Sequence, residues 1–260
     1  MISSTSNQKM KQIMQLNKKA KARREMRAFV VEGIKMFRET PAELLLQVYV
    51  SESFLAVPGQ REEVARKTVS YETVSDTVFS HVCDTTTPQG ILCVVQMPKY
   101  SLDDLLKKKA PTLLVLEDIQ DPGNLGTMFR TGEGAGIDGI IMTKETVDLF
   151  HPKTVRSTMG SIYRMPFYIT DQLQETLELL HDRGVCTYAA HLKGTKSYDA
   201  FDYTKPTAFL IGNEGNGLTD AIADQAKEYL RIPMEGQLES LNAAMAAGIL
   251  MYEAYRQRRG

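Results

Sequence analysis

Residues 209–219 read FLIGNEGNGLT. Gly212 and Gly217 have the spacing of a phosphate-cradling loop, G-x-x-x-x-G-K-[ST], and Thr219 supplies its final hydroxyl. Phosphate chemistry fails on two residues. Leu218 stands where a lysine must neutralise the β and γ phosphates, and Glu214 would repel them. What remains is a tight turn that uses glycine for positive φ. Such a turn still exposes backbone N–H and C=O groups able to hold a neutral or zwitterionic ligand closely. A dinucleotide fingerprint is missing too: GEGAG at 132–136 falls late in a helical pattern, and no G-x-G-x-x-G follows a strand. Two further constellations carry polar chemistry. Asn124 sits at a helix start, a capping position. Arg130, nearly two turns on, is placed either to grip a phosphate or to form a surface salt bridge. In ESLNAAMAAG (239–248), Ser240 is the expected N-cap of a terminal helix, with Asn242 in its first turn. The small residues from Ala243 to Gly248 allow close backbone approach. No G-x-S-x-G elbow and no nearby histidine supports Ser240 as a nucleophile.

These residues need a scaffold, and the flanking pattern supplies one. TLLVLEDI (112–119) is a buried-type strand, followed by the turn QDPGNLG and a helix through Ala135. DGIIMT (138–143) is a strand, LQETLELLHDRG an amphipathic helix stopped at Gly184, and VCTYAAHL the next strand. TAFLIG leads into the glycine turn, DAIADQAKEYL reads as a helix, RIPM as a short strand, and LNAAMAAGILMYEAYRQRR as a long terminal helix. This alternation predicts an α/β fold with a mostly parallel sheet and helices on both faces. Ligands of such sheets sit beyond the carboxyl ends of the strands. DPGNLG, GNEGNG and MEGQLES fall in that kind of position. Upstream, QMPKYSLDDLLKKKAP (96–111) has prolines at both ends and a charged middle, so residues 101–110 read as a linker between domains at 1–100 and 111–260. In the first domain LLLQVYVSES and GILCVVQM read as strands, with helical patterns around 33–40 and 60–67: a small α/β domain.

Composition narrows the class. Hydrophobic residues make up 43% and charged residues 24% of the 260, as in a soluble globular protein. No apolar run approaches the roughly 18 residues of a membrane span. Cys83, Cys93 and Cys186 form no C-x-x-C pair, and the four histidines are scattered. This argues against a disulfide framework or structural zinc and for a reducing cytoplasm. The basic start also admits a mitochondrial targeting reading. The net charge of −1 conceals an asymmetry: residues 1–110 carry 17 Lys/Arg against 12 Asp/Glu, and residues 111–260 carry 14 against 20. Residues 9–27 hold eight basic residues and one acid, Glu25, with Met10, Ile13, Met14 and Leu16 spaced along one side of a helix. The segment is either a solvated surface helix or an electrostatic docking element for a polyanion.

Together and in this order, NLGTMFRTGEGAG, FLIGNEGNGL and IPMEGQLESLNAAMAAGILMYE resemble the three motifs of the SpoU-type RNA 2′-O-ribose methyltransferases of the SPOUT superfamily. The resemblance covers 111–260. FVVEGIKMFRE (29–39) and TTTPQGILCVV (85–95) are similar to the N-terminal RNA-binding domain of the ribosomal-RNA members, itself like a ribosomal protein. Gly132 and Ala243–Met245 depart from the residues more usual there. The resemblance implies a deep trefoil knot in the C-terminal chain and an S-adenosylmethionine pocket, with Gly212, Ile232 and Leu241 wrapping the adenosine portion largely through backbone groups. It requires no metal. A ligand with a sulfonium and no phosphate also accounts for the missing lysine and the tolerated Glu214.

The implied reaction is methyl transfer to a ribose 2′-hydroxyl, with 23S ribosomal RNA as the expected substrate. A tRNA substrate, or a non-catalytic RNA-binding factor on the same fold, are the alternatives. The family gives Arg130 the role of base. Arginine's pKa above about 12 favours instead holding a phosphate and stabilising the developing alkoxide. Asn124, Glu214, Ser240 and Asn242 would orient Arg130, the ribose and the loops. A homodimer through the C-terminal domain is also implied. Its physical motive is a terminal helix with Ile249, Leu250, Tyr252 and Tyr255 apolar on more than one side.

Overall fold

Two sheets organise the chain in the computed structural model, which describes residues 1–68, 70–237 and 240–259. The chain divides into two units: residues 1–98 with 148–163, and residues 99–147 with 164–260.

The first unit opens with α1 (Gln8–Lys18) and α2 (Ala20–Met26), then β1 (Ala28–Glu32), α3 (Ile34–Glu39) and β2 (Leu45–Ser51). It continues through α4 (Glu52–Ala56), α5 (Gln60–Ala65), β3 (Glu72–Val74), α6 (Asp76–Val82) and β4 (Ile91–Gln96). The sheet order is β1-β4-β2-β3, with β4 antiparallel to both neighbours and β3 parallel to β2. The apolar side of α1 is core: Met10, Ile13 and Leu16 pack with Val78, Phe79 and Val82 of α6 and with Val30, Tyr49 and Val94 of the sheet. The helix breaks at Lys19, whose backbone is extended.

Three of the eight basic residues in this region are already engaged. Arg23 is buried; its Nε and Nη2 donate to Asp148 Oδ2 at 2.8 and 2.6 Å, and its Nη1 to the carbonyl of Leu16. Lys9 pairs with Glu72, and Lys21 with Glu25. Lys11, Lys18, Lys19, Arg24 and Arg27 are exposed and, among the described residues, have no ion pair.

The second unit begins with α7 (Leu102–Leu105), β5 (Thr112–Leu116), α8 (Pro122–Ala135) and β6 (Gly139–Thr143). The chain next contributes α9 (Pro152–Thr158) to the first unit. It resumes with β7 (Phe167–Thr170), α10 (Leu173–Asp182), β8 (Cys186–Ala190) and β9 (Lys196–Ser197). β10 (Thr207–Ile211), α11 (Asp220–Ala223), β11 (Glu228–Arg231) and α12 (Ala243–Arg258) complete it. The seven strands lie in the order β7-β6-β5-β10-β8-β11-β9, and every pair is parallel. Buried on both faces, β5 and β10 are continuous apolar runs, as parallel strands between helices must be.

Four sequence expectations change here. Residues 101–110 are not a free linker: a Ser101–Asp104 capping box starts α7, and Leu105 is fully buried in the second unit's core. Gly139 has no room for a Cβ because Leu105 fills that space. Residues 148–163, expected in the C-terminal domain, belong to the first unit. DAIADQAKEYL is helical only over α11; Glu228–Leu230 pair instead with Tyr188–Ala190, so the strand starts earlier than RIPM. The terminal helix is capped by Asn242, not Ser240. No helix among the described residues is long and apolar enough to cross a membrane.

Candidate active site

The chain turns sharply where β5 ends. Asp118 adopts the left-handed region (φ 55°), tolerable for a short polar side chain. Its backbone N–H donates to Thr143 Oγ1 at 2.9 Å, and its carbonyl accepts from Asn213 Nδ2 at 2.9 Å. Asp121 then caps α8 by accepting from the Asn124 N–H at 2.8 Å, with Pro122 at the first helical position. Asn124 is therefore not the cap. It is the third residue of the helix, and its side chain is available for other work.

That work is a chain of three polar side chains. Asn242 Oδ1 accepts from the Ala244 and Met245 N–H groups, at 2.9 and 3.2 Å, as the N-cap of α12. Its Nδ2 must then face outward, and it donates to Asn124 Oδ1 at 3.0 Å. Asn124 in turn presents Nδ2 to Glu214 Oε1 at 3.0 Å. The backbone N–H groups of Gln120 and Asp121 also donate to Glu214, at 2.9 and 3.0 Å. Each amide has one orientation that satisfies its neighbours, and the series ends on a carboxylate. Partial burial would raise the pKa of Glu214. The hydrogen bonds from Asn124, Gln120 and Asp121 outweigh it and hold the carboxyl below its usual value.

Glu214 belongs to the glycine turn that follows β10. A Cβ on Gly212 would overlap the backbone of Gly217 and Leu218, so this glycine is required by close approach of the turn to itself. Gly217 supplies the positive φ, at 71°. Asn213 Oδ1 accepts from the Gly215 and Asn216 N–H groups and pins the turn from inside. Leu218 is buried in the second unit's core, which explains why no phosphate-binding lysine could stand there. At the exit, buried Glu117 accepts from the N–H and the hydroxyl of Thr219, at 2.8 and 2.6 Å.

A cleft of about 290 Å³ opens beyond the carboxyl ends of β8, β10 and β11. Gly212, Ile232, Ser240 and Leu241 all line it, as do His191 and Leu230. Leu238 and Glu239 of MEGQLES lie outside the described residues. Backbone from the glycine turn and apolar walls from Ile211, Leu230, Ile232 and Leu241 suit a flat heterocycle. Arg130 is exposed on α8 and, among the described residues, makes no hydrogen bond or ion pair. It is joined neither to the cleft nor to the Asn242–Asn124–Glu214 series. Behind it α8 and α12 pack at close range, Gly248 against Thr131 and Gly134 against the Tyr252 hydroxyl. Sequence reasoning missed Glu117, Asp118, Asn213 and His191. Asn213 carried a signal, being an asparagine at the entry of a glycine turn; the others carried none.

Comparison with known proteins bears on both units. The sequence model of the SpoU rRNA Methylase family matches residues 111–252, and that of an MRM3-like substrate binding domain matches residues 7–93. The chain is 33% identical over 253 residues to the 23S rRNA (guanosine(2553)-2′-O)-methyltransferase RlmP of Bacillus subtilis strain 168, covering 96% of this chain and 97% of that one. Among solved structures, the AdoMet-bound rRNA methyltransferase from Sinorhizobium meliloti superposes with a TM-score of 0.85 at 34% identity, over 98% of this chain and 97% of that one. The SpoU methyltransferase AviRb from Streptomyces viridochromogenes, in complex with AdoMet, gives 0.88 at 26% identity, over 98% and 99%.

Proposed function

Because this chain belongs to the SpoU rRNA methylase family, we propose that it transfers a methyl group from S-adenosylmethionine to a ribose 2′-hydroxyl of 23S ribosomal RNA. The observation that carries the reading is the Glu214–Asn124–Asn242 series beside a cleft lined by Gly212, Ile232 and Leu241. The two AdoMet-bound relatives align over nearly the full chain, which supports the same cofactor here. The cleft fits it: the turn backbone closes on itself at Gly212, Ile211, Leu230, Ile232 and Leu241 give it apolar surface, and among the described residues no lysine lines it. Bound S-adenosylmethionine supplies a methyl group made electrophilic by its sulfonium.

The chain's own residues position and stabilise. Gly212, Ile232 and Leu241 hold the adenosine portion, chiefly through backbone groups. A neutral hydroxyl is a poor nucleophile, so negative charge must be stabilised as it develops on the 2′-oxygen. Arg130, which among the described residues has no ion pair, serves this, and it also suits a backbone phosphate, because its planar fork is always charged. Asn124 and Asn242 keep Glu214 and the helix start in one arrangement, and Ser240 stands at the rim of the cleft for the ribose. The first unit binds the RNA, in keeping with its likeness to a substrate-binding domain.

Three further properties belong to the same reading: a trefoil knot in the C-terminal chain, a homodimer through α12, and a place in the cytoplasm. The outer side of α12 supports the dimer, since Met245, Tyr252 and Tyr255 are exposed there. Calorimetry tests the cofactor. S-adenosylmethionine should bind the full-length protein and ATP should not, and Gly212→Val should abolish binding by displacing the turn. ATP binding without S-adenosylmethionine binding overturns the proposal.

A further inference from the structure

His191 is the first residue after β8, as Gly212 is the first after β10 and Ile232 the first after β11. In the sheet β8 lies between β10 and β11. The three residues therefore stand side by side at the carboxyl ends of adjacent strands, and all three line the cleft. Gly212 and Ile232 are already placed against the adenosine portion; His191 is not accounted for by any role above.

Its ring is fixed in place and in tautomer. His191 Nδ1 accepts a hydrogen bond from the Lys193 N–H at 3.1 Å, so the neutral ring carries its proton on Nε2. Tyr229 packs against the ring edge to face, with centroids 5.6 Å apart and planes at 72°. The backbone around it is equally constrained: the His191 N–H donates to the Leu230 carbonyl at 3.1 Å, and Gly194 leaves no room for a Cβ against Leu230 and Arg231. Among the described residues, Nε2–H has no hydrogen-bond partner although the side chain is half-buried. A partly buried donor held rigidly at a cleft with apolar surface from Ile211, Leu230, Ile232 and Leu241 is suited to a ligand acceptor.

We propose that His191 is a binding residue for the cofactor, donating from Nε2–H to an acceptor on the nucleoside half, a ring nitrogen or a ribose oxygen. The proposal rests on the reading of the cleft as the S-adenosylmethionine site. A purely structural histidine would serve only the turn to Lys193, and two substitutions separate the roles. Asparagine places its oxygen near Nδ1 and keeps the turn, but its amide does not reach Nε2. Glutamine places an amide nitrogen near Nε2 and loses the turn.

The test is titration calorimetry of the full-length protein with S-adenosylhomocysteine and with 5′-methylthioadenosine, which lacks the amino-acid half. His191→Asn is expected to weaken both ligands about five- to tenfold, the loss of one ordinary hydrogen bond, and His191→Gln to stay within about twofold of wild type. Melting temperatures recorded alongside confirm that each variant is folded. The reverse order, or two variants that bind like wild type, overturns the proposal. A loss seen with S-adenosylhomocysteine but not with methylthioadenosine moves the contact to the amino-acid half and overturns the nucleoside assignment. Wild type that binds neither ligand overturns the reading of the cleft itself, a result distinct from all of these.

Discussion

Asn124 has two hydrogen-bonding ends, and both are committed, one to Glu214 and one to Asn242. Removing it leaves a carboxylate without its amide and frees the start of α12. Asn124→Ala should lower kcat about tenfold, equivalent to roughly 1.4 kcal/mol of transition-state stabilisation. Asn124→Asp should do worse, since it sets a second carboxylate against Glu214. Steady-state kinetics at saturating cofactor decide this, and undiminished turnover in Asn124→Ala would remove the series from the mechanism. Arg130→Ala addresses charge directly. Loss of a charge-stabilising donor predicts a fall in kcat of about 10²-fold or more. Cofactor affinity should hold within a few-fold and thermal stability should not change, because among the described residues Arg130 has no hydrogen-bond or ion-pair partner to lose. Glu214 adds a pH dependence. Its pKa is lowered by folding, so its stabilising contribution is complete above the unfolded value and fades as pH falls through the folded one. Urea midpoints of wild type should therefore fall toward those of Glu214→Gln below about pH 4. A constant gap between the two proteins down to acid pH would contradict this.

At the scale of elements, α1 joins a buried apolar side to an exposed basic one. Met10, Ile13 and Leu16 are almost fully buried, so deleting residues 1–27 would take away core together with charge and should unfold the first unit. Charge reversal is the cleaner probe of RNA binding. Lys11→Glu with Lys18→Glu should leave the melting temperature unchanged and flatten the dependence of log K on log salt by about 1.4 to 1.8, the value of two phosphate contacts. An unchanged slope would mean that this side of α1 is merely solvated. Arg23→Ala should act in the opposite way, costing about 3 kcal/mol of stability by leaving Asp148 without its buried partner.

These elements also mark where the sequence was legible. Helical spacing identified the apolar side of α1, and the buried runs of β5 and β10 identified the parallel sheet. It could not tell that Arg23 was already spoken for, because Asp148 lies 125 positions away. The Glu117–Thr219 contact spans 102 positions and was invisible for the same reason. DAIADQAKEYL has helical spacing, yet pairing with β8 draws its last residues into a strand, a tertiary effect that outweighs local preference. The cap of α12 was misplaced by two residues because Ser240 and Asn242 are both good caps, and only Asn242 is also held from outside, by Asn124.

For the whole molecule, the unsettled side of α12 sets the expectation. Met245, Tyr252 and Tyr255 are 60%, 48% and 40% exposed, while Ala247, Leu250 and Met251 on the same helix are fully buried. Large apolar residues grouped on the outer side of a long helix fit a two-fold interface, in which each copy covers the other. Sedimentation of the full chain at micromolar concentration should give a dimer, and Met245→Glu with Tyr252→Glu should give a folded monomer. A wild-type monomer would mean that this side of α12 is simply solvated. The chemistry itself is tested by the fate of the methyl group. Full-length protein is incubated with S-adenosylmethionine labelled in its methyl group and with 23S ribosomal RNA lacking its modifications, and the RNA is digested to nucleosides. The label should be recovered in a 2′-O-methylnucleoside, and Arg130→Ala should transfer almost none. Label on a base, or no transfer by a protein that binds the cofactor, would contradict it.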